Sequence, residues 1–511
     1  MDLDLRLAKL RRVSALLGGW LIPAGFIGLL FYFPLGSILL LGFSGEFLGV
    51  LGTPIAVAAI WFTLWQAVVS VALALAIGLP LSYLLYRRRF FGSAFLRNLM
   101  LVPFVTPTIV VVIALQPLRV LPTWMAILAA NLFLNLAVIV RGVGSSWQSL
   151  DRNLDDAARL DGANGWRLIR SIHVPVLRSA ILSSASLVFL YCATSFAIVL
   201  SFGGGQIQSI ETLTYYSLTA HLDLPTASVL ALVQTVITVV VFLLSRRGDV
   251  AVEDLSLSAA PLASRFSVFA VWGFIAVAFA LPIGQVLARG LNAQAFDWLN
   301  SLGARGLLDI TVWQALANSL RNSLIAASLA LVVGTLVAKL STRRPGLRLW
   351  FVLPLGVSSV MLGFGYLVAF GGEPLPLRSS WMVVPLVQSV LATPLVVRGL
   401  SAALDGLPRE LAESAATAGA SGWQIWRMIE LPLIAIAFKN AVALALLVSI
   451  GEFGSAALLS YGKQATLPVV LFRLISRPGE QNYSMAMAAA SLMIIFVFAV
   501  VTLTSAGKPK N

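Results

Sequence analysis

Few side chains in this sequence have the chemistry to act on anything. There are two histidines, His173 and His221, and one cysteine, Cys192. That argues against a protein metal site, excludes an internal disulfide and leaves Cys192 as a small packing residue. No Ser/His/Asp grouping, metal-ligand spacing or pair of facing acids marks a catalytic cleft. The GxxxxGK[S/T] phosphate loop is also missing, so the chain is not itself an ATPase. What the sequence does carry is one polar constellation, twice. Residues 154–175 read LDDAARLDGANGWRLIRSIHVP, and residues 411–432 read LAESAATAGASGWQIWRMIELP. They align without a gap at an offset of 257, with nine of 22 positions identical. Shared residues include Ala158/Ala415, Gly162/Gly419, Trp166/Trp423, Arg170/Arg427 and Pro175/Pro432. This is the chemistry of recognition: one surface, offered twice, to a partner with two equivalent sites.

Each copy reads as a helix, a turn and a second helix. Asp156 to Leu160 and Glu413 to Thr417 favour a helix with acids near its start, where the helix dipole stabilises them. Gly162 and Gly419 allow a close turn. Trp166–Ile172 and Trp423–Ile429, with Arg170 and Arg427, form a short amphipathic helix that Pro175 and Pro432 are expected to end. His173 is expected to be exposed within this segment.

The elements that must hold these segments are membrane helices. Apolar residues make up 59% of the 511, charged residues 11%, and the mean hydropathy is +0.93. Twelve apolar runs are long enough to span a bilayer, from 17–42 through 98–118, 349–370 and 438–460 to 484–505. With the N-terminus inside, the inner segments hold 27 of the 35 Lys and Arg residues, a strong positive-inside bias. Both repeated segments and both termini then fall in the cytoplasm. The net charge of +14 is therefore topological and excludes a nucleic-acid partner. The repeat reaches further: Ala72–Arg88 matches Ser328–Arg344, with Gly78 opposite Gly334, so the two copies share one orientation. The expected domains are 1–250 and 251–511, joined by a polar linker near 246–266.

Polar groups at membrane depth are functional candidates by default. Glu452, in Ser449-Ile450-Gly451-Glu452-Phe453-Gly454, has two readings: a negative lining that favours a cationic substrate, or a partnered structural acid. Its counterpart in the first half is Ser195. Asn131 and Asn135, four apart on one helix face, and Gln388 beside Ser389 suit either interhelical hydrogen bonding or path lining. Tyr215, Tyr216 and Gly203–Gly205 lie in a loop expected on the outer side, as an aromatic belt or as a surface for a binding protein.

These residues resemble a known family. Asp156-Ala157-Ala158, Gly162 and Ile172-His173-Val174-Pro175, with Glu413-Ser414-Ala415, Gly419 and Ile429-Glu430-Leu431-Pro432, resemble the "EAA" loop of ABC importer permeases. The departures are Asp for Glu, Ser for Ala and Val for Leu. The resemblance implies an all-α membrane protein of about 12 transmembrane helices. They would form two parallel six-helix repeats of the type I (MetI-like) permease fold in a bacterial inner membrane. It implies loops that dock as coupling helices on a separate homodimeric ATPase, which uses ATP and Mg, with no cofactor on this chain. It also implies an extracytoplasmic substrate-binding protein and a small cationic substrate. The fused layout and the stretches SFAIVLSFGGG, IETLTYY and SIGEFG resemble thiamine permeases, with iron(III) permeases sharing the layout. A secondary transporter driven by ions is the alternative of another class, although it has no need of a duplicated docking loop.

Overall fold

The computed structural model describes residues 19–43, 46–151, 153–245, 262–301, 310–342, 344–372 and 380–505. Most of the expected linker, 246–261, both chain ends and Arg343 lie outside the described residues. The described chain is helical, with one isolated bridge between Arg89 and Leu262 and no named strand. Nine described helices are long and apolar enough to cross a membrane, or twelve if each of three bent pairs is one span.

The twelve expected runs are all found, four of them broken; the run at 180–202 is Val174–Ala193 followed by Phe196–Gly203. The run at 98–118 is Ser93–Val105 followed by Thr108–Ala114, bent by 105° at Thr106-Pro107. Residues before proline avoid the helical region, and Thr106 is extended. The run at 349–370 bends by 95° between Pro345–Gly356 and Ser359–Ala369, where Ser358 accepts a bond from the Val360 amide at 3.2 Å. The run at 438–460 is Ala435–Gly451 plus the short helix Gly454–Leu459.

Four prolines leave a common mark, whereas Pro80 and Pro394 sit inside α-helices without it. Four π turns, Gly28–Tyr32, Ile169–His173, Ala276–Ala280 and Trp426–Glu430, each end two residues before a proline, namely Pro34, Pro175, Pro282 and Pro432. A proline has no N–H and its ring crowds the carbonyl four residues back; the wider turn relieves both problems without stopping the helix. The carbonyl freed by Pro34 belongs to Leu30, and it accepts the Tyr366 hydroxyl at 2.8 Å. The expectation that Pro175 ends its helix is thus corrected. The helix continues to Ala193, and in the second copy it bends by 83° only at Ile434, beyond Pro432.

Two compact units form, and they are not the two sequence halves. One comprises Met1–Phe43, Leu299–Arg473 and Leu492–Asn511; the other comprises Ser44–Trp298 and Leu474–Ser491. In the second unit the core lies where helices Pro54–Arg87, Thr123–Gln148 and Val174–Ala193 meet, around Ala67, Ala74, Ile139, Val143 and Val188. In the first, Val312–Ser341, Val383–Asp405 and Ala435–Gly451 meet around Ala330, Val396, Leu400 and Ala445. The two cores repeat each other closely. A Cβ on Gly78 would stand 2.6 Å from the Ile139 side chain, and one on Gly334 would stand 2.5 Å from that of Val396, the residue equivalent to Ile139. The Ile210 amide donates to Thr63 Oγ1 at 2.9 Å, and the Leu467 amide donates to Ser319 Oγ at 2.8 Å.

Candidate functional site

The two repeated loops have one local architecture. The first helix is Asn153–Leu160 in one loop and Arg409–Thr417 in the other. Asp155 and Asp156 occupy the first turn of the former; Glu410 does so in the latter, so Glu413 falls one turn later than expected. Both helices end in the same left-handed glycine cap. Gly162 has φ +79° and Gly419 φ +88°. The Ala163 amide reaches back to the Ala158 carbonyl at 2.9 Å, and the Ala420 amide to that of Ala415 at 3.0 Å. This six-to-one bond defines a Schellman cap and fixes the spacing between alanine and glycine. Each second helix is then capped by a side chain. Asn164 Oδ1 accepts from the Arg167 amide at 2.9 Å, and Ser421 Oγ from the Gln424 amide at 3.3 Å. Gly165–Leu168 and Gly422–Ile425 follow, and each runs into its π turn.

The motif residues face outward. Asp156, Ala157, Gly162, Arg170, Pro175, Glu413, Gly419, Trp423, Arg427 and Pro432 are exposed, and Ala158 and Ala415 are half-buried. The side chain of Trp166 lies outside the described residues. Large apolar groups are bared beside them: Leu160 is 89% exposed and Trp423 67%. Each helix-turn-helix thus sets bared apolar groups among charges, the composition of surfaces that proteins use for contact.

One residue in each loop faces the other way. His173, expected to be exposed, is 1% exposed. Its ring lies 5.4 Å from that of Trp147 and 6.4 Å from that of Tyr83, and its Nε2 is 2.9 Å from Asp155. Asp155 also takes Arg87 at 2.6 Å, while Arg87 donates to the Leu150 carbonyl at 2.8 Å. In the second loop the equivalent residue, Glu430, forms a 2.9 Å ion pair with Lys339. The Lys339 ammonium sits 5.0 Å above the Trp426 ring.

Within the membrane-length helices the polar candidates are mostly tied to their own bundle. Asn131 donates to Gln66 Oε1 at 2.7 Å; Gln66 donates to the Cys192 carbonyl at 2.6 Å. Asn135 donates to the Asn131 carbonyl at 2.9 Å. Asn131 Oδ1, Gln388 Oε1 and Ser195 Oγ are buried without a hydrogen-bond partner among the described residues. Glu452, 8% exposed, caps a helix break: its carboxylate accepts from the Ser455 amide at 2.9 Å, the Ser455 hydroxyl at 2.5 Å and the Ala456 amide at 3.2 Å. Ser195 occupies the same break in the first half, ahead of Phe196–Gly203. Glu452 and Gln388 belong to one compact unit, Ser195, Asn131 and Asn135 to the other. Tyr215 is packed against Phe196 at 5.3 Å and is no free loop aromatic. Gly205 to Gln208 line a cavity of about 440 Å³ with Ile55, Ala58, Ala59 and Phe62. Sequence reasoning passes over Gln66 and Glu211, both buried. The signal for Gln66 is a lone amide in an apolar run, whereas Glu211 sits among polar neighbours, Gln208, Ser209, Thr212 and Thr214, and carries no such mark.

Residues 74–249 and 330–507 each match the family described as binding-protein-dependent transport system inner membrane component. The sequence is 27% identical over 482 residues to the thiamine transport system permease protein of Haemophilus influenzae, covering 86% of this chain and 87% of that one. It is 28% identical to the thiamine transport system permease protein of Brucella abortus, over 81% of each chain. A putative 2-aminoethylphosphonate transport system permease protein of Salmonella typhimurium is 31% identical over 214 residues, 39% of this chain and 79% of that protein.

Proposed function

Because this chain belongs to the family of inner membrane components of binding-protein-dependent transport systems, twice over along its length, we propose that it forms the whole membrane passage of an ABC importer for thiamine or a thiamine phosphate. The observation that carries this reading is the duplicated helix-turn-helix, with its outward-facing motif residues and bared Leu160 and Trp423. Two identical caps at equivalent places fit a homodimeric ATPase that meets both loops at once. The substrate follows the relatives named above, whose likeness spans most of both chains. N- and C-termini are cytoplasmic on the positive-inside rule.

In the mechanism, a loaded binding protein docks on the outer face. ATP closes the separate ATPase dimer and draws the two loops together, which turns the passage outward; hydrolysis resets it. ATP and Mg act only in that partner. The helix breaks at Ser195 and Glu452 suit this role, since irregular backbone is tolerated at membrane depth where protein or a water-filled path surrounds it. The test is uptake into proteoliposomes holding this chain, its ATPase and its binding protein, with labelled thiamine against ferric ion. ATP-dependent thiamine uptake is expected. Iron uptake in its place overturns the substrate, and uptake of either without ATP overturns the role of the loops.

A further inference from the structure

The internal duplication lets one chain serve as its own comparison. Most loop residues are either shared between copies or exposed in both. The residue two places before the closing proline is neither: it is His173 in one copy and Glu430 in the other, the last residue of the π turn in each. Both side chains turn away from the motif surface, toward the first core helix of their own bundle. They also meet that helix at equivalent positions. His173 lies against Tyr83 and Glu430 against Lys339, and Tyr83 and Lys339 coincide when Gly78 is laid on Gly334. The chemistry has changed on both sides of the contact together. An aromatic–imidazole contact in one half is a carboxylate–ammonium contact in the other. The supporting acid has moved as well. The first loop draws its carboxylate from Asp155, held by Arg87 at 2.6 Å, whereas the second has Ala412 at that place and carries the acid at position 430 itself.

Paired change at one contact is what a selected contact looks like, and a solvated loop has no need of it. We propose that His173 and Glu430 are positioning residues: each pins its loop to the adjoining core helix, so that a push on the loop moves helix Pro54–Arg87 or Val312–Ser341 and is not absorbed by the loop. This rests on the proposed docking of an ATPase, but the anchor itself is a property of this chain. The two anchors also differ in strength under salt. His173 and Arg87 are 1% and 4% exposed, whereas Lys339 is 37% exposed and more open to screening.

The decisive variants are Lys339→Glu, Glu430→Lys and the two combined, in the full complex reconstituted in nanodiscs and proteoliposomes. Hydrogen exchange across 409–433 reads the anchor directly, and ATP hydrolysed per labelled thiamine taken up reads the coupling. Each single variant places like charges together; exchange is expected to rise and uptake to fall about tenfold, while the ATPase still co-purifies. The charge-swapped double restores both. Unchanged exchange and coupling in the singles, or a double that stays loose, overturns the proposal. Should a charge reversal prevent accumulation, Glu430→Gln keeps the side-chain volume and gives the same exchange readout. A wild-type complex without ATP-dependent uptake defeats the transport reading alone, since the exchange measurement still decides the anchor.

Discussion

At the scale of single residues, the repeated motif is a folding instruction before it is a binding surface. The spacing from Ala158 to Gly162, and from Ala415 to Gly419, is the distance from the carbonyl that takes the six-to-one bond to the left-handed cap. Nothing lies within 4 Å of a Cβ built on either glycine, so space does not demand glycine there; backbone conformation does. Replacing both with alanine is expected to cost about 1–2 kcal/mol at each cap and to fray the turn between the two helices. The chain still inserts, but co-purification with its ATPase falls sharply; normal recovery of the ATPase with the double variant would sink the docking role of these loops. This much was legible in the sequence, because a cap is a local object six residues long. His173 was not. A histidine in a polar stretch reads as solvated, and only the fold shows that Trp147, Tyr83 and Asp155 enclose it.

At the scale of elements, hydropathy located every span but not the breaks. The run 438–460 is apolar on average, and the Glu452 within it reads equally as path lining or as a partnered acid, so composition alone does not mark the interruption at Glu452-Phe453. Prolines were misread for the opposite reason: Pro175 looks like a stop, yet a π turn five residues long lets the helix pass. Helix pairing was better encoded. Gly78 and Gly334 admit Ile139 and Val396, the close approach through small residues that membrane helices use where no hydrophobic effect draws them together. The two crossings are alike, with the side chains of Ile139 and Val396 2.6 and 2.5 Å from a Cβ on Gly78 and Gly334. Gly78→Ala and Gly334→Ala are each expected to destabilise by about 1–3 kcal/mol. Adding Val396→Ala or Ile139→Ala should recover part of each loss. Thermal unfolding in detergent gives the double-mutant cycle, and purely additive losses would mean the crossings are not where these glycines act.

At the scale of the whole molecule, the duplication accounts for two matching sets of caps, crossings and anchors, but it does not predict which segments pack together. The first membrane helix, Gly19–Gly42, belongs by sequence to the first half and by packing to the unit built from the second. Sequence was silent here because an apolar helix in lipid has no composition that names its neighbour. Its docking is specific nonetheless: Tyr366 reaches the Leu30 carbonyl, and a Cβ on Gly365 would stand 2.9 Å from the Pro34 carbonyl oxygen. Expressed separately, fragments 1–250 and 251–511 should each be lost to proteolysis, whereas co-expressed they should co-purify as one particle. Stable accumulation of either alone would contradict the exchange of segments. For the ribosome the arrangement imposes a delay. The first helix leaves the tunnel some 300 residues ahead of its partner, roughly tens of seconds at ordinary elongation rates. Through that interval its polar breach at Leu30 has only lipid, or a chaperone, for company. Joining both halves in one polypeptide guarantees that the awaited helix always arrives, in equal number and in the same patch of membrane.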